Sequence, residues 1–426
     1  MKDSNKVLVI GGGGREHAII HKLKESDKVS KIYCAPGNGG IARDAECVPI
    51  GVMEFDKLVD FAKSNEIDMV MVAPDDPLAA GAVDAFENAG IRAFGPNKRA
   101  AIIEGSKAFS KDLMKKYNIP TAKYEVFSNS AEAIDYIKER DTYPIVVKAD
   151  GLALGKGVII AETFEDAEKA VHEIMDDKVF GSAGGKVVIE EFLTGPEISV
   201  LAFTDGKTIK PMVSAQDHKR AFDNDKGPNT GGMGTFSPSR IYTDELADEC
   251  MKNIFIPTMN AMNSENRTFK GVLYFGLMKT PDGVKVIEYN CRFGDPETQV
   301  VLPRLESDLF EIFDAVIDER LNEIDIKWND GAAVCVVLAS GGYPRKYQTG
   351  YPIEGLCRAE SAGALIFHAG TKADGDNILT SGGRVLGVTA VASNLDDAIK
   401  TAYGYVDLIS FKDMHYRKDI GIKKYN

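Results

Sequence analysis

"PIVVKADGLALGKGVIIAE", residues 144–162, sets two lysines and a cluster of glycines between two β-branched runs. A P-loop requires G-x-x-x-x-G-K-[ST] between a strand and a helix. Here Gly151 and Gly155 enclose one residue too few, and Gly157 follows Lys156 where a magnesium-binding hydroxyl belongs. Both flanks read as strands, so the stretch predicts a β-hairpin with a glycine-rich tip. The glycines then serve as a flexible cover, and the surrounding lobe is antiparallel α+β.

Upstream, "KVLVIGGGGREHAIIHKLKES", "KIYCAPGN" and "DMVMVAPDDPLAAGAVDAFENAG" repeat a strand–turn–helix rhythm that "IRAFGP" closes. That alternation predicts a doubly wound parallel sheet over residues 1–105, with ligands at the carboxyl ends of its strands. From 123 to 193 helices alternate with antiparallel strands. Further strands, "EISVLAFTDG", "KTIKPMVSAQDHKR", "GVLYFGLMKT" and "VKVIEYNCRF", follow to about residue 300. Residues 329–426 read as a small β-rich domain closed by the helix "NLDDAIKTAYGYVDLI".

A length of 426 residues agrees with about three domains. A net charge of −13 argues against nucleic acid or an anionic membrane as a partner, though not against a local basic pocket. The six cysteines show no C-x-x-C pair and read as reduced core thiols. No leader or membrane span is apparent in the sequence, so a cytoplasmic protein is expected.

Several constellations carry chemistry. In "KVIEYNCRFGDPE", strand alternation places Glu288 and Asn290 on one face with Arg292 next along, and Ile287, Tyr289 and Cys291 on the other. A carboxylate and an amide oxygen suit Mg²⁺, which keeps phosphate oxygens among its ligands. A solvated edge strand is the competing reading. The loop "QDHKRAFDNDKGPNTGGMGTFSP" is long enough to be functional and brings Lys219, Arg220 and Lys226 into an acidic chain. His218 within it reads as a hydrogen-bonding residue. "VVIEEFLTGPEISV" ends a strand with Glu190 and Glu191, one of which could pair with a lysine of the nearby sheet. "VIGGGGREH" fails the dinucleotide fingerprint, because Glu16 and His17 stand where its last glycine is needed. A glycine turn before a helix still favours a phosphate-bearing substrate.

Taken together, "GGGGREHA", "APGN", "GPNKRAAIIEGSKAF", "KADGLALGKGV", "AQDHKR", "GPNTGGMG", "EYNCRFGDPETQ", "ASGGYP", "FHAGTK" and "RKDIG" resemble the phosphoribosylamine–glycine ligase family of ATP-grasp enzymes, essentially end to end. The resemblance implies an ATP-grasp fold over 106–328, with 123–193 as a mobile lid lobe. It implies an ATP-dependent carbon–nitrogen ligase that joins glycine to 5-phosphoribosylamine through glycyl phosphate, with Mg²⁺ or Mn²⁺, acting as a monomer.

Carried over by motif, Lys107, Lys148, Gly155, Lys156 and Gly157 would face ATP phosphates. Glu190, Glu191, Phe192 and Leu193 would face adenine, and Glu197 the ribose. Glu288 and Asn290 would hold the metal. Asp217, Arg292 and Asp295 would be catalytic, with Asn229, Thr230, Gly231 and Pro296 lining the glycine and acyl-phosphate site. Gly12, Gly13, Gly14, Asn38 and Asp75 would face the amino sugar. At the last of these the chain has Ala73–Pro74–Asp75 where the family has Gly-Pro-Glu, one methylene longer. Another carboxylate–amine ligase, or a biotin-carboxylase-like enzyme of the same architecture, is the alternative reading. A nicotinamide oxidoreductase and a non-catalytic nucleotide module are weaker ones.

Overall fold

The computed structural model describes residues 4–152 and 157–422. The first unit is a five-stranded parallel sheet ordered Glu46–Cys47, Val29–Pro36, Asn5–Gly11, Met69–Val72 and Ala93–Phe94. Its central strands are apolar on both faces because helices cover both, which is the pattern of a buried parallel strand.

The lid lobe has four antiparallel strands, ordered Tyr124–Phe127, Val187–Glu191, Ile145–Ala149 and Val158–Ala161. The last two form the predicted hairpin. Helices Ser130–Arg140 and Phe164–Met175 cover the sheet, each capped by a side chain, Asn129 and Thr163. The lobe's core, from Ala133 to Ile189, is separate from the rest, whereas residues of the parallel sheet share two larger cores with the strands beyond 197. Phe94 of the parallel sheet stacks on Phe313 at 3.9 Å between ring centroids.

The floor of the cleft is the antiparallel sheet Ile209–Pro211, Glu197–Thr204, Gly271–Thr280 and Gly283–Asn290. Its last strand departs from strict alternation. Pairing steps from Gly276↔Glu288 to Leu277↔Val286, which leaves Ile287 unpaired as a bulge. Val284 and Val286 therefore share a buried face with Tyr289 and Cys291, and Ile287 does not join them as the alternation predicted. A bulge inserts one residue and shifts the side-chain phase after it.

The stretch expected as one strand in "KTIKPMVSAQDHKR" is three short ones, Ile209–Pro211, Gln216–Asp217 and Arg220–Phe222. Gln216–Asp217 and Gly234–Ser237 join Ala332–Ser340, Arg384–Ala392 and Leu365–His368 in a single sheet. Segments on either side of residue 328 are therefore hydrogen-bonded into one layer, which helix Leu395–Val406 covers.

The C-terminal sheet docks on the parallel sheet through "FHAGTK". His368 is 1% exposed, and a Cβ at Gly40 would lie 2.0 Å from its Cγ. Gly40→Ala should lower unfolding free energy by about 1–3 kcal/mol through overpacking, read by denaturant titration. An unchanged midpoint would show that the contact is loose.

Candidate active site

At the lid end of the cleft, Glu190 is 3% exposed and lies between two lysines. Lys111 Nζ is 2.8 Å from Oε2, and Lys148 Nζ is 2.9 Å from Oε1, off line for a hydrogen bond. The expected carboxylate–lysine pair is thus a three-membered cluster. Lys148 Nζ also donates to the carbonyl of Ile287, the bulge residue, at 3.3 Å. Lys111 donates to Thr121 Oγ1, which donates to Val286 O. Two lysines therefore tie the lid sheet to the floor strand.

Burial lowers the Lys111 ammonium to about 8, against the pull of Glu190. Lys107 lies one helical turn before Lys111, donates to Gly151 O at 3.0 Å and is also lowered by burial. Glu191 accepts from the Lys123 amide and lies 3.4 Å from Lys285. Phe192 is exposed and Leu193 half-buried, in the linker to the floor strand that starts at Glu197. Gly155 and Lys156 lie outside the described residues. Gly157 is described, and its carbonyl accepts from Ala149 N.

On the floor, Glu288 and Asn290 follow the bulge on the cleft side. A Cβ at Gly276, directly opposite, would lie 3.0 Å from Glu288 Cγ, so glycine there gives the carboxylate room. Burial alone would raise the Glu288 pKa, yet Lys219, Lys148, Lys107 and Arg292 together hold it below the ordinary carboxylate range. Lys219 lies 3.6 Å from Glu288 and 3.0 Å from Glu197. Asn290 Oδ1 accepts from Arg292 Nη2 at 3.2 Å.

Arg292 also meets Glu104 at 3.0 Å and Asp75 at 4.0 Å. Its Nε is buried with no protein partner. Glu104's other oxygen accepts from Cys291 N at 2.7 Å, so one carboxylate fixes both the backbone and the guanidinium of this turn. Asp75 would be raised by burial, but Arg292 and Arg15 bring it below its ordinary value. Among the described residues no three His, Cys, Asp or Glu side chains gather as a metal site. Two oxygen donors suit a hard divalent ion, and the cations around them suit the phosphates that would complete its coordination.

The third wall comes from the C-terminal sheet. Arg384 Nη2 is 3.2 Å from Asp295 Oδ2, and Nη1 donates to the carbonyls of Gly231 at 2.7 Å and Asp295 at 2.8 Å. Burial alone would raise Asp295; Arg384, then Arg15, outweigh it and keep the carboxylate ionised. Asp217 goes the other way, pushed well up by burial and then by the charge of Glu297. The two carboxylates of this wall are thus shifted in opposite directions. A Cβ at Gly232 would meet Pro296 Cδ at 2.5 Å and Asp217 Oδ1 at 2.7 Å, so this glycine brings the two segments together. Thr230 caps the turn, its N and Oγ1 both donating to Lys219 O. Asn229 ends the strand Lys226–Asn229 opposite Arg220. His218 is lowered to about 4 by burial and so stays neutral, in line with a hydrogen-bonding role.

The glycine turn differs from an open anion cradle. The amide of Gly13 donates to Glu16 Oε2 at 2.5 Å. Cβ atoms at Gly12 and Gly14 would lie 2.5 Å from Gly37 O and 2.6 Å from Gln299 Nε2. These glycines are needed for close packing, and a carboxylate already caps the helix. Asn38 is a further correction. Its Nδ2 donates to Gly12 O and His368 O, and its Oδ1 accepts from Gly40 N and Ile41 N, which fills every site the side chain has. It holds the turn instead of facing a ligand. A Cβ at Gly13 would be 3.5 Å from Asp295 Oδ2, so the turn does border the Asp295 carboxylate.

The sequence reading gave no site role to Lys111, Glu104, Arg384 or Glu297. Lys111 had a signal, since it repeats Lys107 at i+4 on one helix face. Glu297 sits inside the quoted "GDPETQ", where its Oε1 accepts from Ser199 and Tyr274 hydroxyls. Arg384 and Glu104 lie far along the chain from their partners and left no local sign.

Profiles of the phosphoribosylglycinamide synthetase N domain, ATP-grasp (A) domain and C domain match residues 5–104, 105–298 and 333–423. The chain is 51% identical over 417 residues to the phosphoribosylamine–glycine ligase of Halalkalibacterium halodurans, covering 98% of this chain and 96% of that one. It is 48% identical over 420 residues to the Escherichia coli K12 protein of the same name, covering 98% of each. The crystal structure of phosphoribosylamine–glycine ligase from Thermotoga maritima is similar with a TM-score of 0.84 at 32% identity, covering 98% of this chain and 100% of that one. Campylobacter jejuni biotin carboxylase shares the fold alone, with a TM-score of 0.72 at 14% identity, covering 97% of this chain and 93% of that one.

Arg384→Ala takes the ion pair from Asp295 and the donor from two carbonyls and should cost about 1–3 kcal/mol of stability, read by chemical denaturation; a loss under about 0.5 kcal/mol contradicts the pairing. Lys111, lowered to about 8, binds fewer protons in the folded than in the unfolded chain between pH 8 and the free-lysine pKa near 10.5. Stability should therefore rise with pH in that window. Relative to wild type, Lys111→Met should flatten that rise, and an identical slope in both proteins would refute the burial of a charged Lys111.

Proposed function

The chain belongs to the phosphoribosylamine–glycine ligase family of ATP-grasp ligases, and on that premise we propose how its own residues join glycine to 5-phosphoribosylamine. The reaction consumes ATP and yields ADP, phosphate and glycinamide ribonucleotide, the second step of de novo purine biosynthesis. The observation that carries the assignment of roles is one carboxylate, Glu288, surrounded by Lys107, Lys148, Lys219 and Arg292. Such a set fits a polyphosphate and its cation better than any neutral ligand.

ATP lies between the lid sheet and the floor, its adenine against the 190–193 linker and its ribose at Glu197. Lys107 and Lys148 neutralise phosphate charge. Glu288 and Asn290 would hold Mg²⁺ or Mn²⁺, which would supply charge neutralisation at the phosphates. Glycine's carboxylate, set by Asn229, Thr230, Gly231 and Arg292, attacks the γ-phosphorus, ADP leaves, and glycyl phosphate forms. The free Nε donor of Arg292 is available to that anion.

The amine of phosphoribosylamine then attacks the acyl carbon, and phosphate leaves. Asp295, held in the ionised form and beside the glycine turn, receives the amine's proton, while Asp217, whose pKa burial raises, lines the same site. The lid lobe, which has a core of its own, closes as a body and keeps water from the acyl phosphate.

We assign the amino-sugar side to residues 1–105, nucleotide handling to 106–328, and bracing of the glycine loop to 329–426.

Phosphate release assayed with ATP, glycine and phosphoribosylamine should require all three, and bicarbonate should not replace glycine. Release that follows bicarbonate would overturn the reading. Glu288→Ala should lower turnover at least on the order of 10²–10³-fold with an unchanged circular dichroism spectrum, and near-normal turnover would remove Glu288 from the site.

A further inference from the structure

The "RKDIG" run at 417–421 has no part in the chemistry above, yet it contains Arg417, a guanidinium only 1% exposed. Its Nε and Nη2 donate to the two oxygens of Asp419, both at 2.7 Å. Its Nη1 donates to Asp225 Oδ1 at 3.0 Å and to Arg220 O at 3.2 Å. The surrounding backbone repeats the connection. Asn224 N donates to Asp419 Oδ2, Lys418 N to Asp223 Oδ1, and His415 Nε2 to Ala221 O, each at 2.8 Å. Tyr403 braces the run from the covering helix, donating to Arg417 O and accepting from Ile420 N.

These far-side partners lie between 220 and 225, in the hairpin of Arg220–Phe222 and Lys226–Asn229, and Gly421 N adds a bond to His218 Nε2 at 3.4 Å just before it. Two strands this short are not stable alone in water. The same hairpin continues directly into Asn229, Thr230 and Gly231, and its root carries Asp217 and Lys219. A buried guanidinium persists only when its donors are matched, and its planar fork fixes direction as well as distance.

We propose that Arg417 is a positioning residue: with Asp225 and Asp419 it pins the 220–229 hairpin so that Asn229–Gly231 are preset for the amino acid's carboxylate. The proposal rests on the reading that this loop takes glycine. Arg417→Lys keeps the charge and loses the fork. Asp225→Asn keeps an acceptor oxygen and removes the charge of one arm, at a side chain 46% exposed.

In both variants KM for glycine should rise about tenfold, with the affinity for ADP within about twofold of wild type by calorimetry. Effects in the double variant should be less than additive. Hydrogen exchange should quicken over 220–231 and stay unchanged in the lid. If Arg417→Lys does not fold, Asp225→Asn decides. An unchanged KM for glycine, or an equal loss of ADP affinity, overturns the proposal. If wild-type phosphate release shows no dependence on glycine, the reading of the loop fails first and takes this proposal with it; normal wild-type dependence with unaltered variants refutes the pin alone.

Discussion

A charge removed from water needs a partner, and in this cleft the partners come from distant parts of the chain. Arg292 after the floor strand pairs with Glu104 from a helix of the preceding unit, and Lys148 and Lys111 converge on Glu190. Asp295 is held by Arg384 of the C-terminal sheet. Removing one member of such a pair leaves an uncompensated buried charge, which costs about 3–5 kcal/mol. The charged groups of the cleft therefore lock its three walls together. Lys219 belongs to the same pattern, resting between Glu197 and Glu288, the two carboxylates assigned to ribose and metal.

The Ile287 bulge converts that pairing into aim. By slipping the phase of the floor strand it keeps Val284, Val286, Tyr289 and Cys291 in one core while sending Glu288 and Asn290 into the cleft. The bulge carbonyl is the one that Lys148 reaches. One inserted residue thus orients the proposed metal ligands and ties Lys148 to their strand. Gly276 across the pair completes the arrangement by leaving space beside Glu288.

Local patterning made most of the architecture legible. The failed P-loop spacing and flanking β-branched runs identified the lid hairpin, and alternating strands and helices identified the parallel sheet. The family motifs were equally legible, because Glu288, Asn290, Arg292 and Asp295 sit within a few residues of one another. What escaped was non-local. The bulge depends on a register with Gly276 and Leu277 that no single strand reveals. Glu104 meets Cys291 across 187 positions, and Arg384 meets Asp295 across 89. Asn38 and the glycine turn read as ligand-facing because their residue types suit both tasks; only their filled hydrogen bonds and 2.5 Å clearances show packing. The "RKDIG" motif counted only towards the family resemblance, and its bonds to residues 220–225 left no local sign in the sequence.

A crystal structure with a non-hydrolysable ATP analogue and Mg²⁺ puts this account to its most direct test. The account predicts the cation bonded to oxygens of Glu288 and Asn290, the phosphates against Lys107 and Lys148, and Lys219 moved off Glu288. A triphosphate bound elsewhere, or a Lys219–Glu288 contact that survives with the cation bound away from Asn290, would contradict it.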